Sequence, residues 1–193
     1  MKIKALLFAT FTIITLVGCN DKEQITEQNV VTEQKTQVAL PTFNLKTTTG
    51  TNITIVADNE KGWIFKGLEV KAILLDFFGT WCPPCKAEIP HLNNIRNKIS
   101  DKFEVIGIDV GPRGGGTTSL DDLKAFVTQY EIKYPVTIGG DNSELFRGVM
   151  ELNKNGSIPF MLLFDQKGHF VTHYIGMVPE EMLQGDIDRV LGK

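Results

Sequence analysis

The chain has 193 residues, of which 42% are apolar and 22% charged, and its formal net charge at pH 7 is −3. These values are typical of a soluble globular protein with one buried core, and they argue against a basic nucleic-acid-binding protein. The apolar runs are all shorter than the roughly 18 to 20 residues of an ordinary membrane-spanning helix, so none is expected.

The first residues have the pattern of an export signal. Lys2 and Lys4 precede the apolar run ALLFATFTIITLV, and LVGC follows at residues 16–19. A charged start, a short apolar middle and small residues at the end are typical of a secretory signal peptide. Cys19 directly after LVG resembles the bacterial lipobox, in which this cysteine is lipidated. We therefore predict a lipoprotein signal peptide at residues 1–18 and lipid attachment at Cys19, with an ordinary signal peptide as the alternative.

The predicted elements of the first half begin after this signal. Residues 19–39 are rich in Gln, Glu, Thr and Asn and contain no aromatic residue, which predicts a flexible tether. Residues 40–193 then form the predicted folded domain. Its first half contains a hairpin around Gly50, a buried strand AILLDFF at 72–78, a helix from Cys82 to about Ile99, and a second buried strand at 103–110.

The second half alternates helices and strands and then ends in a hairpin and a helix. The predicted elements are a Gly-rich loop at 111–118, a helix capped by Ser119, a short strand in YPVTI, a helix in DNSELFRGVMEL, a hairpin in PFMLLFDQKGHFVTHYIG, and a last helix in PEEMLQGDIDRVL. This order predicts an α/β fold, a mixed β-sheet flanked by helices on both faces.

Cys82 and Cys85 flank two prolines at the start of the first predicted helix. Such a pair is half a metal site, a structural disulfide or a redox couple. A bridge over two intervening residues stabilises little chain, which favours redox chemistry. Free N–H groups and the positive end of the helix dipole at Cys82 favour its thiolate, the nucleophile of disulfide exchange. Cys85, one turn further, is placed to resolve the mixed disulfide.

The stretch LLDFFGTWCPPCKAEIP resembles the active-site strand and helix of the thioredoxin superfamily, in particular its exported, membrane-tethered TlpA/ResA-like branch. The shared features are an aromatic pair, a Trp before the first Cys, CxxC, a following basic residue and a later Pro: Phe77, Phe78, Trp81, Cys82, Cys85, Lys86 and Pro90. The resemblance spans roughly residues 40–193. It implies a thioredoxin-like fold, here with an N-terminal hairpin and a central insertion, and a thiol–disulfide oxidoreductase that needs no cofactor.

The resemblance also implies roles for residues outside the CxxC. Ile158 and Pro159 match an aliphatic residue followed by a cis-proline, which would set the Ile158 backbone beside the dithiol for substrate pairing. Asp76 interrupts an apolar strand, so its pKa should rise or it must be paired. An acid there relays the proton of the second cysteine in the family; a solvated strand end is the alternative. Trp81 is expected to offer substrates a flat apolar contact, unless it only fills the core.

The family implies protein thiols and disulfides as substrates, with apocytochrome c a leading one, and a membrane electron donor of the DsbD/CcdA type. We expect a lipid-anchored monomer, periplasmic or on the outer face of the cytoplasmic membrane. The alternatives are an oxidase or isomerase running in the other direction, a copper-binding chaperone and a module with a structural disulfide. No metal site is expected, because no histidine is placed to complete a set of ligands with the two cysteines.

Overall fold

The structure, a computed structural model, describes residues 39–193. The predicted signal peptide, the lipid-attachment residue Cys19 and nearly all of the predicted tether lie outside the described residues. None of the described helices combines the length and the apolar character that a membrane-spanning segment needs.

The described chain begins with three strands and then alternates strands with helices. The strands are β1 (Thr42–Thr47), β2 (Asn52–Val56), β3 (Ile64–Lys66), β4 (Ala72–Phe78), β5 (Phe103–Asp109), β6 (Val136–Ile138), β7 (Phe160–Asp165) and β8 (Phe170–Ile175). The helices are α1 (Pro83–Lys98), α2 (Leu120–Gln129), α3 (Gly140–Gly148) and α4 (Glu180–Val190), and a 3₁₀ turn at Met150–Leu152 follows α3.

The eight strands form one mixed sheet in the order β3-β2-β1-β6-β5-β4-β7-β8. β4 pairs in parallel with β5 on one side and antiparallel with β7 on the other. All seven residues of β4 are buried, because helices and strands cover both of its faces. The predicted mixed sheet flanked by helices is therefore confirmed.

Two apolar clusters lie on opposite faces of this sheet. Successive residues of a strand point to opposite faces, so β4 contributes to both clusters. The first cluster packs α1, α2 and α4 against the sheet and contains Ala72, Leu74, Phe78, Cys82, Cys85, Leu92, Leu123 and Leu183. The second lies under α3 and the N-terminal strands and contains Leu45, Ile55, Ile73, Leu75, Phe77 and Leu145. The dithiol thus belongs to the face that carries three helices.

The sheet curls until its two ends meet. The backbone N–H of Trp63, just before β3, donates to the carbonyl of Gly168 in the β7–β8 turn at 2.7 Å. A side chain at Gly168 would collide with the backbone of Trp63, which explains why the turn needs a glycine with φ of +74°. β3 itself is absent from the sequence prediction, which anticipated only the hairpin that β1 and β2 form.

Candidate active site

Cys82 is the N-cap residue of α1, and a disulfide joins it to Cys85 with Cα atoms 5.3 Å apart. Pro83 and Pro84 occupy the first helical positions and have no N–H, so the amide of Cys85 is the first donor of the helix. It donates to Sγ of Cys82 at 3.3 Å. The two cysteines are only 2% and 3% exposed. The N-terminus of α1 therefore favours the thiolate form of Cys82 once the disulfide is reduced.

The loop before β7 lies against the sulfur of Cys82. The carbonyl oxygen of Ile158 is 3.7 Å from Sγ of Cys82, and the Ile158–Pro159 peptide bond is cis, as predicted. The carbonyl of Pro159 accepts a hydrogen bond from the N–H of Gly176 at 2.8 Å. The backbone of Ile158 therefore lies directly beside the sulfur of Cys82.

Asn153 holds the other end of this loop. Its side-chain N–H donates to the carbonyl of Ser157 at 2.7 Å, and its side-chain oxygen accepts from the N–H of Ser157 at 3.1 Å. Asn153 is buried at 2% exposure, whereas Ser157 is exposed, so the two bonds tie an exposed loop to a buried side chain. Sequence reasoning missed this residue, because an Asn in a polar stretch carries no signal of such a clamp.

Asp76 is a buried carboxyl on the face of β4 that packs against α1. It is 3% exposed, and its Oδ1 has no hydrogen-bond partner among the described residues. Burial, reinforced by the nearby carboxyl of Glu88, raises the pKa of Asp76 to about 8. Asp76 is therefore a buried residue and does not lie at a solvated strand end, while its role as a proton relay stays a prediction. A carboxyl with this pKa can accept and return a proton near neutral pH.

Glu88 is a second buried acid that the sequence analysis overlooked. It follows Cys85 by three residues, so it shares the buried face of α1, and it is 1% exposed. One of its oxygens accepts from the N–H of Val178 at 3.2 Å, while burial raises the pKa of Glu88. Asp76 and Glu88 therefore compete for protons in the layer between β4 and α1.

Tyr134 closes this layer. It is 5% exposed, and burial together with the charges of Asp76 and Glu88 raises the pKa of its hydroxyl well above the ordinary value. Gly107, the β5 neighbour of Asp76, leaves room for the ring: a Cβ there would lie 3.2 Å from Tyr134. The acids are thus shielded from water by an aromatic side chain that stays neutral.

Trp81, directly before Cys82, is half-buried against the first cluster. Its Nε1 donates to the carbonyl of Gly111 at 2.9 Å, and the guanidinium of Arg113 lies 4.5 Å from its ring centroid. The backbone of Gly79 packs against the indole, because a Cβ there would approach Nε1 to 2.9 Å. The ring is therefore held in one orientation beside the disulfide.

Nothing in the described part of the chain groups three or more His, Cys, Asp or Glu side chains as a metal site. A cavity of about 560 Å³ is lined by Trp63, Leu162, Phe164 and Phe170, residues of or next to the second cluster. It lies on the sheet face opposite the dithiol.

Comparison with known proteins identifies the family. Residues 36–186 match the AhpC/TSA family. The chain belongs to this family. Two similar proteins are both named thiol-disulfide oxidoreductase ResA. The one from Bacillus cereus (strain ZK / E33L) is 33% identical over 126 residues, which is 65% of this chain and 66%, just under two thirds, of that protein. The one from Bacillus subtilis (strain 168) is 27% identical over 144 residues, 74% of this chain and 69% of that protein.

A solved structure supports the fold. StoA from Bacillus subtilis superimposes with a TM-score of 0.53 at 21% identity, over 77% of this chain and 98% of that one. The predicted thioredoxin-like fold and the predicted kinship with ResA-like proteins are thereby confirmed, and the predicted enzyme class agrees with the names of both relatives. The roles of Cys82, Cys85, Asp76, Pro159, Trp81 and Ile158 stay predictions.

Proposed function

We propose that this AhpC/TSA-family chain is a thiol–disulfide oxidoreductase that reduces disulfides of other proteins. The observation that carries the proposal is the Cys82–Cys85 bridge at the N-terminus of α1, with its first sulfur 3.7 Å from the Ile158 carbonyl. A purely structural disulfide needs neither a helix N-terminus nor a neighbouring backbone carbonyl. A bridge over only two intervening residues also adds little stability, because it removes little entropy from the unfolded chain.

The reaction begins from the reduced enzyme. The thiolate of Cys82 attacks one sulfur of the substrate disulfide; a Cys82–substrate bond forms, and the other substrate sulfur leaves as a thiolate that takes up a proton. The sulfur of Cys85 then attacks Cys82, the mixed disulfide breaks, and the second substrate thiol is released. Two electrons pass from the enzyme to the substrate, and a membrane dithiol donor must supply two more to restore Cys82 and Cys85.

Asp76 serves the second step in this scheme. Cys85 is buried, so its thiol has no direct access to bulk water and needs an internal base. Asp76 faces the α1 layer that contains Cys85, and its pKa of about 8 lets it take the thiol proton and pass it on. Backbone groups of Ile158 meanwhile hold an extended substrate segment beside Cys82.

Buried acids also support a reductase over an oxidase. Strong disulfide oxidants owe their potential to a reduced form that is stabilised. The carboxyls of Asp76 and Glu88, each with one buried oxygen that accepts no hydrogen bond from the described residues, disfavour additional negative charge in the layer behind the cysteines. The reduced form consequently gains less stability, and the pair releases its electrons more readily.

The N-terminal sequence supports export and anchoring as part of the proposal. A signal peptide at residues 1–18 and a lipid on Cys19 would hold the domain outside the cytoplasm, on a tether at residues 19–39. Exported proteins tend to oxidise, so a reductant there protects thiols that must stay reduced, such as those of apocytochrome c. A donor of the DsbD/CcdA type would supply the electrons through the membrane. Mass spectrometry of the mature N-terminus tests the anchor: an unmodified residue other than Cys19 would contradict it.

The decisive experiment is the reduction potential of the domain together with its activity on insulin disulfides. We expect a potential near or below about −250 mV, whereas a value near about −120 mV would indicate an oxidase. Cys82→Ser should abolish insulin reduction. Cys85→Ser, the matched control, should retain the first attack and accumulate a mixed disulfide. Full activity of folded Cys82→Ser would refute the proposed role of the bridge.

A further inference from the structure

A compact loop after β5 presents one arginine to the active site. Gly111 has a φ of +85°, and a Cβ there would collide with the carbonyl oxygen of Gly116, so the two ends of the loop touch. Within it, the N–H of Gly115 donates to the carbonyl of Pro112 at 2.9 Å and closes a turn. Arg113 is the second residue of this turn and is exposed. We refer to residues 111–116 as the Arg113 loop.

The Arg113 loop contacts both the edge and the face of the Trp81 indole. The indole N–H donates to the Gly111 carbonyl at 2.9 Å, and the Arg113 guanidinium lies 4.5 Å from the ring centroid, well within cation–π range. These contacts hold a positive charge against the side chain of the residue that immediately precedes Cys82. An exposed arginine without such contacts would move freely in solvent.

The hydrogen-bonding edge of this guanidinium is unused. Across residues 39–193, no hydrogen bond or ion pair involves Arg113, whereas Arg96 binds Glu104 and Arg189 binds Asp186. Stacking occupies the flat face of a guanidinium and leaves its N–H groups directed outward in the ring plane. Those groups match the two oxygens of a carboxylate.

On a chain with a net negative charge, a cation at the position of Arg113 can attract acidic partners. The chain has a net charge of −3, which becomes −5 if the predicted signal peptide takes Lys2 and Lys4 away. A generally acidic surface repels acidic partners, so a fixed cation at the site counteracts that repulsion locally. Lys86, in the first turn of α1, is a second cation of this region, and its Nζ lies 5.6 Å from the Tyr130 ring centroid.

We propose that Arg113 is a specificity-determining residue that binds an acidic side chain of the substrate close to its disulfide. This inference rests on the proposed function and names its substrate class: disulfides flanked within a few residues by Asp or Glu. The carboxylate accepts two N–H bonds from the guanidinium while Trp81 keeps the guanidinium in place. The neighbouring Cys82 thus receives the disulfide in a fixed register.

The test uses two synthetic peptides with the same disulfide, one with Glu and one with Gln next to a cysteine. The wild-type protein should reduce the Glu peptide with a kcat/KM about fivefold higher, the upper range for an exposed charge pair. Arg113→Gln should remove the preference by lowering the rate on the Glu peptide alone. Arg147→Gln, which removes another exposed arginine from α3 on the opposite sheet face, should keep it.

Wild-type protein also offers a test that needs no variant. The preference for the Glu peptide should shrink towards unity in 0.5 M salt, because screening weakens an exposed pair. Equal rates on the two peptides at low salt, or a preference that survives in Arg113→Gln, would overturn the inference. Equal losses on both peptides in that variant would do the same, since they indicate a merely structural loop. Failure to reduce either peptide would instead overturn the proposed function, and this inference with it.

Discussion

Replacing Asp76 with Asn should stabilise the oxidised protein by an amount that grows with pH. The folded pKa of Asp76 is about 8 and its ordinary value is 3.8, so the folded state binds the proton more tightly than the unfolded state. Stability from this group is therefore complete below about pH 4 and declines as pH rises towards 8. Asn is neutral at every pH and avoids the decline.

The magnitude follows from the two pKa values. Each pH unit between them costs about 1.4 kcal/mol of unfolding free energy, which amounts to about 4 kcal/mol at pH 7 and about 6 kcal/mol above pH 8. A new amide in the same position adds an offset of about 1 to 3 kcal/mol if it lacks a partner. That offset does not vary with pH, so the slope of the difference is the informative quantity.

Urea denaturation of both oxidised proteins at pH 4 to 9 measures this slope. We expect the difference between Asp76→Asn and wild type to rise steeply from pH 5 to 7 and to level off above 8. A difference that is the same at every pH would show that Asp76 ionises normally and would refute the reasoning. In stopped-flow measurements Asp76→Asn should slow the second exchange step more than the first. If the variant and the wild-type protein have equal rates for both steps over pH 6–9, Asp76 has no part in the mechanism.

Further predictions concern residues around this acid and the loop before β7. Glu88→Gln should lower the pKa of Asp76 below about 8, because it removes the second cause of the rise, and carboxyl ¹³C NMR would follow the titration. Asn153→Ala should cost about 1 to 3 kcal/mol in urea denaturation and reduce kcat/KM on insulin, since the two hydrogen bonds of a buried side chain disappear. Gly107→Ala should cost about 1 to 3 kcal/mol, because its Cβ would crowd the ring of Tyr134 at 3.2 Å.

Matched controls separate these effects from general damage. Gly114→Ala adds the same methyl group where no atom lies within 4 Å of the new Cβ, so it should leave stability almost unchanged. Asn97→Ala removes an amide from the exposed side of α1 and controls for Asn153. An unaltered Asp76 titration in Glu88→Gln would show that burial alone raises the pKa. Unchanged insulin reduction in Asn153→Ala would show that the loop holds without its clamp.

Most of the fold was predictable because its central elements are locally encoded. A nearly continuous apolar run of seven residues has the length of a buried strand, and the predicted strand at 72–78 coincides with β4. Prolines at the first helical positions located the start of α1, and Ser119 caps α2 as predicted by accepting from the N–H of Asp122 at 3.1 Å. β3, in which only Phe65 is buried, was not predicted.

The sequence by itself predicted only those active-site residues that lie close together along the chain. The CxxC and the acid in β4 belong to one continuous stretch, and Ile158 and Pro159 became visible through the family resemblance. Glu88 did have a signal in the sequence, because it follows Cys85 by three residues and therefore lies on the same face of α1. This spacing was not used in the sequence analysis. Tyr134 and Arg113 come from segments that meet the dithiol only through the sheet, so no local pattern places them.

The contact between Trp63 and Gly168 ties together segments from opposite ends of the described chain. Likewise, β4 finds its antiparallel partner β7 only after three helices, two strands and the 3₁₀ turn have been added between them. A polypeptide that emerges from its amino end therefore cannot complete the sheet until its last third is present, and until then the edge of an apolar strand is exposed. Chains that stop short of residue 160 should consequently self-associate through the exposed edge of β4. Synthesis of β7 covers that edge and so prevents this association.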